Sequence, residues 1–287
     1  MTTKTKYVTP DEVRILLGLS DTDISDANTN TIIDFAMDEV DKLTNTRYLV
    51  AQDSGTASAG TASTLSDSSK SWTVDEWNSD ASLVGGYMVH IYSGTGSGQC
   101  RTITDNTATQ LTVSPDWSTT PDATSLYRIF ENTHETETFD GDGTDSYFTQ
   151  WYPLLEVQSL TIDSTDITLG GTSLYTYKET GELKLGSTAG KSTFLDTSPQ
   201  LCVLKYHFGV YPIPNIIKKF TAITAALMIG GHMIGNTYTF ATSYTVPEYT
   251  INKGVPYPHF EKIVGEMKKQ RDFLLTRIQS QINPAIG

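Results

Sequence analysis

The sequence is short of cysteine, of basic residues and of long apolar runs. Its two cysteines, Cys100 and Cys202, form no CxxC pair. That excludes a disulfide framework and a cysteine-based zinc site, and each cysteine reads as a small buried hydrophobe. There are 20 Lys+Arg against 33 Asp+Glu, a formal net charge of -13. Such a field repels nucleic-acid phosphates and anionic membranes alike. The longest apolar stretch, 220–234, is interrupted by Thr221, Thr224, two glycines and His232, too short and too polar to span a bilayer. Residues 1–20 have no continuous apolar region, so no signal peptide is expected. The expected location is a cytoplasm, or a particle assembled in one. The five histidines, His90, His134, His207, His232 and His259, lack the spacing of a metal site, and no GxSxG elbow occurs. No catalytic constellation, no cofactor and no enzymatic activity are expected.

What is present is enough chain for two domains: 287 residues, 38% hydrophobic and 10% aromatic. Thr9-Pro10-Asp11-Glu12 has the order of a capping box with proline in the first turn, predicting a helix over 10–18 stopped by Gly18. A second helix is expected over 25–44. Ile32, Ile33, Ala36, Val40 and Leu43 fall on its apolar face, and Asp34, Asp38 and Asp41 on a solvated one. After Pro212-Ile213-Pro214 an apolar helix is expected over 215–231, weakened at its end by Gly230 and Gly231. The last helix, 258–281, carries an apolar stripe of Phe260, Ile263, Met267, Leu274 and Ile278. Between the last two helices, 235–256 reads as a long loop bearing Tyr238, Phe240, Tyr244 and Tyr249, of a length that is usually functional or ordered by a partner.

The middle of the chain is β in character. From Asp53 to Glu131 it is rich in Ser and Thr, with nine acids against Lys70, Arg101 and Arg128, and predicts a small all-β domain inserted at 53–131. Two phrases within it look alike, Gly60-Thr61-Ala62-Ser63-Thr64-Leu65 and Asn106-Thr107-Ala108-Thr109-Gln110-Leu111. A second β region follows over 136–208, with Gly-bearing turns at 140–143, 170–171 and 180–181.

Three motifs touch on binding chemistry. Gly186–Ser192 resembles a phosphate loop, but has three residues between its glycines where four are needed and leads into poor helix, so it reads as an ordinary loop. Gly94-Thr95-Gly96-Ser97-Gly98 has strands on both sides and reads as a hairpin tip, not a dinucleotide fingerprint. Asp140, Asp142 and Asp145 alternate with glycines, which fits a hairpin turn or a calcium loop; the EF-hand pattern fails because its twelfth position is Trp151.

The order of several phrases resembles head–tail connector (adaptor) proteins of tailed viruses. They are Thr9–Leu19, Glu39–Thr44, Thr138–Thr144, Tyr152–Val157, Lys178–Leu185 and Tyr206–Lys218. The resemblance covers about 1–50 and 132–235; the segment 53–131 and the long 235–256 loop depart from the compact members. It implies an α+β fold: a helical bundle of about four helices with an antiparallel β region, a connector core of 1–52 and 132–287, and the inserted all-β domain at 53–131. It also implies a virion protein of the neck, forming a ring of about twelve subunits under the portal. That ring would extend a DNA channel, without sequence-specific binding, toward tail or head-completion proteins. An acidic wall suits a conduit through which DNA slides. Ile32, Val40, Ile216 and Phe220 are the expected ring-packing residues. Tyr238, Phe240, Tyr244 and Tyr249 are expected to contact tail or neighbour. Residues 257–287 have five basic against three acidic residues, the only positive segment. Lys262, Lys268, Lys269, Arg271 and Arg277 are therefore the expected portal-docking residues. The competing expectation is another virion β-protein, a tail terminator or a host-surface-binding module.

Overall fold

The structure is a computed structural model describing residues 5–78, 86–194, 202–237, 243–246, 249–252 and 257–282. The chain divides into two compact units: a β unit of Met1–Thr5 with Asn45–Pro212, and a helical unit of Lys6–Thr44 with Ile213–Gly287.

In the β unit, residues 53–131 supply all seven strands of the largest sheet. These are β1 (Asp53–Thr56), β2 (Ala59–Thr61), β3 (Thr64–Ser66), β4 (Tyr87–Ser93), β5 (Cys100–Asn106), β6 (Gln110–Ser114) and β7 (Leu126–Glu131). Their antiparallel order is β1-β7-β4-β5-β6-β3-β2. The two edge strands, β1 and β2, are joined by Ala57 and Ser58 alone. Two residues reach only about 7 Å, so the sheet must curl until its edges meet. Alternate strand side chains, Leu65, Val89, Ile91, Ile103, Leu111, Val113, Tyr127 and Ile129, form one buried cluster with Trp72, Trp77 and Trp117 from the connections. The two similar phrases are the turns of the β2–β3 and β5–β6 hairpins. They lead into strands that pair with each other, Leu65 opposite Leu111. The hairpin tip at Gly94 is forced to be glycine, since φ is +79° and a Cβ would lie 1.9 Å from the Thr124 carbonyl oxygen.

The rest of the β unit is two smaller antiparallel sheets. One contains β8 (His134–Phe139), β10 (Leu154–Ile162), β11 (Thr165–Asp166) and β14 (Cys202–Phe208), in the order β11-β10-β14-β8. The other contains β9 (Ser146–Phe148), β12 (Leu174–Tyr177) and β13 (Glu182–Leu185), in the order β12-β13-β9. Both contribute to one core, with Leu160, Ile162, Leu204 and Tyr206 from the first and Leu174, Leu183 and Leu185 from the second.

A buried ion pair joins the seven-stranded sheet to the four-stranded one. Arg101 Nη1 on β5 donates to Glu156 Oε2 on β10 at 2.6 Å, and the Cys100 backbone N–H donates to the same oxygen at 2.6 Å. The guanidinium also donates to the carbonyls of Cys100 and Asp116 and lies 5.4 Å from the centre of the Trp117 ring.

The helical unit contains α1 (Pro10–Leu17), α2 (Asp26–Thr44), α3 (Asn215–Thr237) and α4 (Tyr257–Ile282), and a hairpin of β15 (Ser243–Val246) and β16 (Tyr249–Asn252). The capping box forms as written: Thr9 Oγ1 accepts from the Glu12 N–H, and Glu12 Oε2 from the Thr9 N–H. Gly18 closes α1 at φ +66°. α3 packs against α1, α2 and α4. Its Ala222, Ala225, Ala226 and Gly230 are buried small residues that permit close approach.

Several expectations are corrected. The fold is mostly β with few helices, sixteen strands against four helices among the described residues, and is not a helical bundle with an accessory β region. Helical periodicity is a local signal and stands out in a sequence, whereas most of the β core is assembled from strands distant along the chain. β1, β2 and β3 give little periodic signal because they are three or four residues long and carry few apolar side chains. α3 continues past Gly230 and Gly231 to Thr237, and the hairpin occupies part of the expected 235–256 loop. The buried face of α2 is Thr29, Ile33, Ala36, Met37, Val40, Asp41 and Thr44, while Leu43 is exposed. Asp41 is not solvated; it is buried and accepts from the Tyr7 hydroxyl at 2.7 Å.

Glu156→Ala should destabilise the β unit by about 3–5 kcal/mol, because it leaves the Arg101 charge buried without its partner. Adding Arg101→Met should recover much of that loss. Denaturant unfolding of the two variants checks this; equal stability of Glu156→Ala and wild type would contradict it.

Candidate functional site

The helical unit contains a groove of about 630 Å³. Its floor includes the buried side chains of Val8, Ala222 and Leu274, and its rim bears Lys218, Lys219, Arg277 and Glu12. Among the described residues, three cations and one acid line it, and Glu12 Oε2 is already engaged with the Thr9 N–H of the cap. Lys218 and Lys219 are exposed, and neither forms an ion pair among the described residues. The first turn of α3 has no acid, unlike those of α1 and α2. Two lysines so near a helix N-terminus oppose the helix dipole. That locally unfavourable placement was the signal in the sequence, and it was missed.

The sequence-selected residues scatter. Val40 and Phe220 are each 1% exposed, so their apolar surface is taken up inside the unit. Ile32 is half-buried, and Ile216 is half-buried beside the groove. Among the described residues, the large apolar side chains that do face solvent on these helices are Ile15, Phe35, Leu43 and Phe273. Lys262, Lys268 and Lys269 are exposed along α4; Lys269 pairs with Glu266 and Arg271 with Asp272, both within that helix. Of the five, Arg277 alone reaches the groove; its guanidinium also lies 6.0 Å from the centre of the Phe273 ring. Tyr238 and Phe240 lie outside the described residues. Tyr244 and Tyr249 fall on the two strands of the hairpin, opposite Ile251 and Val246.

The motif residues resolve into structural roles. Asp142 Oδ1 accepts from the Thr144 N–H and hydroxyl, which holds a turn and keeps its carboxyl below the usual range. Asp145 pairs with Lys184 at 3.4 Å. No group of three or more His, Cys, Asp or Glu is arranged to hold a metal ion among the described residues. At Gly186 a Cβ would lie 2.0 Å from the Thr172 carbonyl oxygen, and Lys191 pairs with Asp163, so this loop is tied to its neighbours rather than opened toward a phosphate.

The β unit holds a second cluster that sequence reasoning did not assemble. His134 and His207 are register partners on β8 and β14, with ring centres 5.4 Å apart. Gln158 Nε2 lies 3.0 Å from His207 Nε2, while His207 Nδ1 is buried without a hydrogen-bond partner. Burial lowers His207 to about 3, helped by repulsion from His134 once it is protonated, by the Arg101 charge and by His90 once it is protonated. Burial likewise lowers His90 to about 4, aided by Lys178 and Arg128. His134 is lowered too, by burial and then Lys205. These rings are neutral in the folded protein near pH 7. The unfolded chain takes up protons below about 6.5 that the folded one refuses, so stability falls as pH drops below that value. Carboxylates held low, such as Asp53 and Asp67, contribute a loss only nearer their ordinary 3.8. The thermal midpoint should therefore drop between pH 7 and pH 5, and His207→Gln should flatten that drop. An unchanged pH profile in the variant would remove His207 as the cause.

No protein-family model matches the chain, and no curated protein matches it.

Proposed function

We propose that this chain is a structural virion protein of the neck, a ring-forming adaptor between portal and tail that extends the DNA channel. The reading rests on the ordered resemblance of six phrases to head–tail connectors. Those phrases lie at the ends and turns of regular elements as well as within them. They include the capping box of α1, the end of α2, the turn after β8, the strands β10 and β13, and the passage from β14 into α3.

The observation that carries it furthest is the surface of the helical unit. Three helices leave Ile15 (77% exposed), Phe35 (60%) and Phe273 (62%) open to solvent, and the same unit holds a cationic groove on an otherwise acidic chain. Apolar side chains left exposed on one unit are what an assembly subunit offers its neighbours. The net charge of -13 suits a wall that does not grip passing DNA.

Electron microscopy and sedimentation of the purified protein should find a ring of about twelve copies with a central hole. Lys262→Glu with Lys268→Glu should leave that ring intact and weaken its binding to portal. A monomer or trimer that binds host surface polymer would replace this reading with a host-surface module. The face shared by Phe148, Tyr175 and Tyr177 on the three-stranded sheet, exposed at 62%, 44% and 50%, is the feature that would favour that alternative.

A further inference from the structure

We infer that the cationic groove of the helical unit receives the acidic turn between α1 and α2 of a second copy of this chain. The inference rests on the assembly reading above and names the two surfaces that meet. The groove side consists of Lys218, Lys219 and Arg277 around an apolar floor. The turn side consists of Asp21 and Asp23, both exposed. Ser20 donates its N–H and its hydroxyl to Asp23 Oδ2, at 2.8 and 2.7 Å, which fixes the turn and keeps the Asp23 carboxyl ionised. Asp26, the next acid, is already paired with Arg14, and Arg14 also pairs with Asp11.

The turn cannot fill the groove of its own copy. Glu12, near the start of α1, lines the groove, whereas the turn follows Gly18 at the other end. Six residues of helix rise separate Glu12 from Gly18, about 9 Å, and the turn lies beyond Gly18. One copy therefore presents two different, non-overlapping and complementary patches. Groove against groove brings cations together, as turn against turn brings acids together. Groove against turn satisfies both, and that is a head-to-tail contact, the kind that closes into a ring when its rotation permits.

Salt dependence does not decide the matter. Two chains of the same net sign repel one another, and salt screens that repulsion together with the local attraction. Exchange of charge does decide it. Lys218→Glu with Lys219→Glu should weaken self-association on the order of tenfold or more, because the groove then faces like charge. Asp21→Lys with Asp23→Lys should do the same from the other side. All four substituted residues, Lys218, Lys219, Asp21 and Asp23, are exposed, and circular dichroism with a thermal midpoint checks each fold. Asp21→Lys alone leaves the Ser20–Asp23 turn intact and should give a smaller shift in the same direction.

Mixing the two defective variants should restore association, since each reversed groove then meets a reversed turn. Association is read by sedimentation velocity and light scattering. If wild-type rings form and neither reversal weakens them, the groove contact is wrong while the adaptor reading stands. Open chains or dimers broken by reversal and restored by mixing would support the contact and overturn the ring. A wild type that stays monomeric at high concentration would overturn both.

Discussion

The β unit depends on one buried ion pair. Glu156 reaches from β10 to Arg101 and to the Cys100 N–H on β5, so a single carboxylate joins the seven-stranded sheet to the four-stranded one. Arg101 side-chain exposure is only 5%. A guanidinium taken so far from water is tolerated because nearly every donor finds an acceptor: Glu156, the carbonyls of Cys100 and Asp116, Gln99 and Ser118. Gln99 Oε1 in turn accepts from Ser118 and Thr119, so the pair also fixes the segment after β6. His207 remains neutral partly because of this charge.

The scarcity of basic residues shapes the rest of the interior. With 20 cations for 33 acids, several half-buried or buried carboxylates are held by tyrosine hydroxyls instead. Tyr7 donates to Asp41 in the helical unit, and Tyr127 donates to Asp67 inside the curled sheet. Tyr147 and Tyr206 both donate to Glu137. Burial and then the neighbouring carboxylate raise the hydroxyls of Tyr127, Tyr147 and Tyr206 well above the ordinary tyrosine value, so they remain donors at any physiological pH. A neutral donor satisfies a carboxylate without burying a second charge, which limits the desolvation cost.

The helical unit follows a different logic. Its core is small and close-packed along α3, with Ile217, Phe220, Ala225, Ala226 and Ile229 buried. Its polar ties lie at the helix ends. Arg14 links α1 to the start of α2 through Asp26, and Lys6 links the segment before α1 to Asp34. Its surface is left with exposed apolar side chains, Ile15, Phe35, Leu43 and Phe273, and with the cationic groove. The feature with functional promise is thus a surface the unit does not fill by itself.

The sequence by itself determined the local elements. The capping box at Thr9, the Gly18 stop, the glycine hairpin tip at 94–98 and the strands around Val89, Ile103 and Leu183 all follow from short-range chemistry, and the structure has them where the residues require. Tertiary structure alone decided what those elements make. That Leu65 faces Leu111, that two residues close the seven-stranded sheet, and that Asp41 is inside while Leu43 is outside depend on partners far along the chain. The groove arises in the same way, where residues near 10, 218 and 277 meet. Periodicity reports which face of an element is apolar; it is blind to which distant element covers that face, and both the β-rich fold and the groove were settled by that choice.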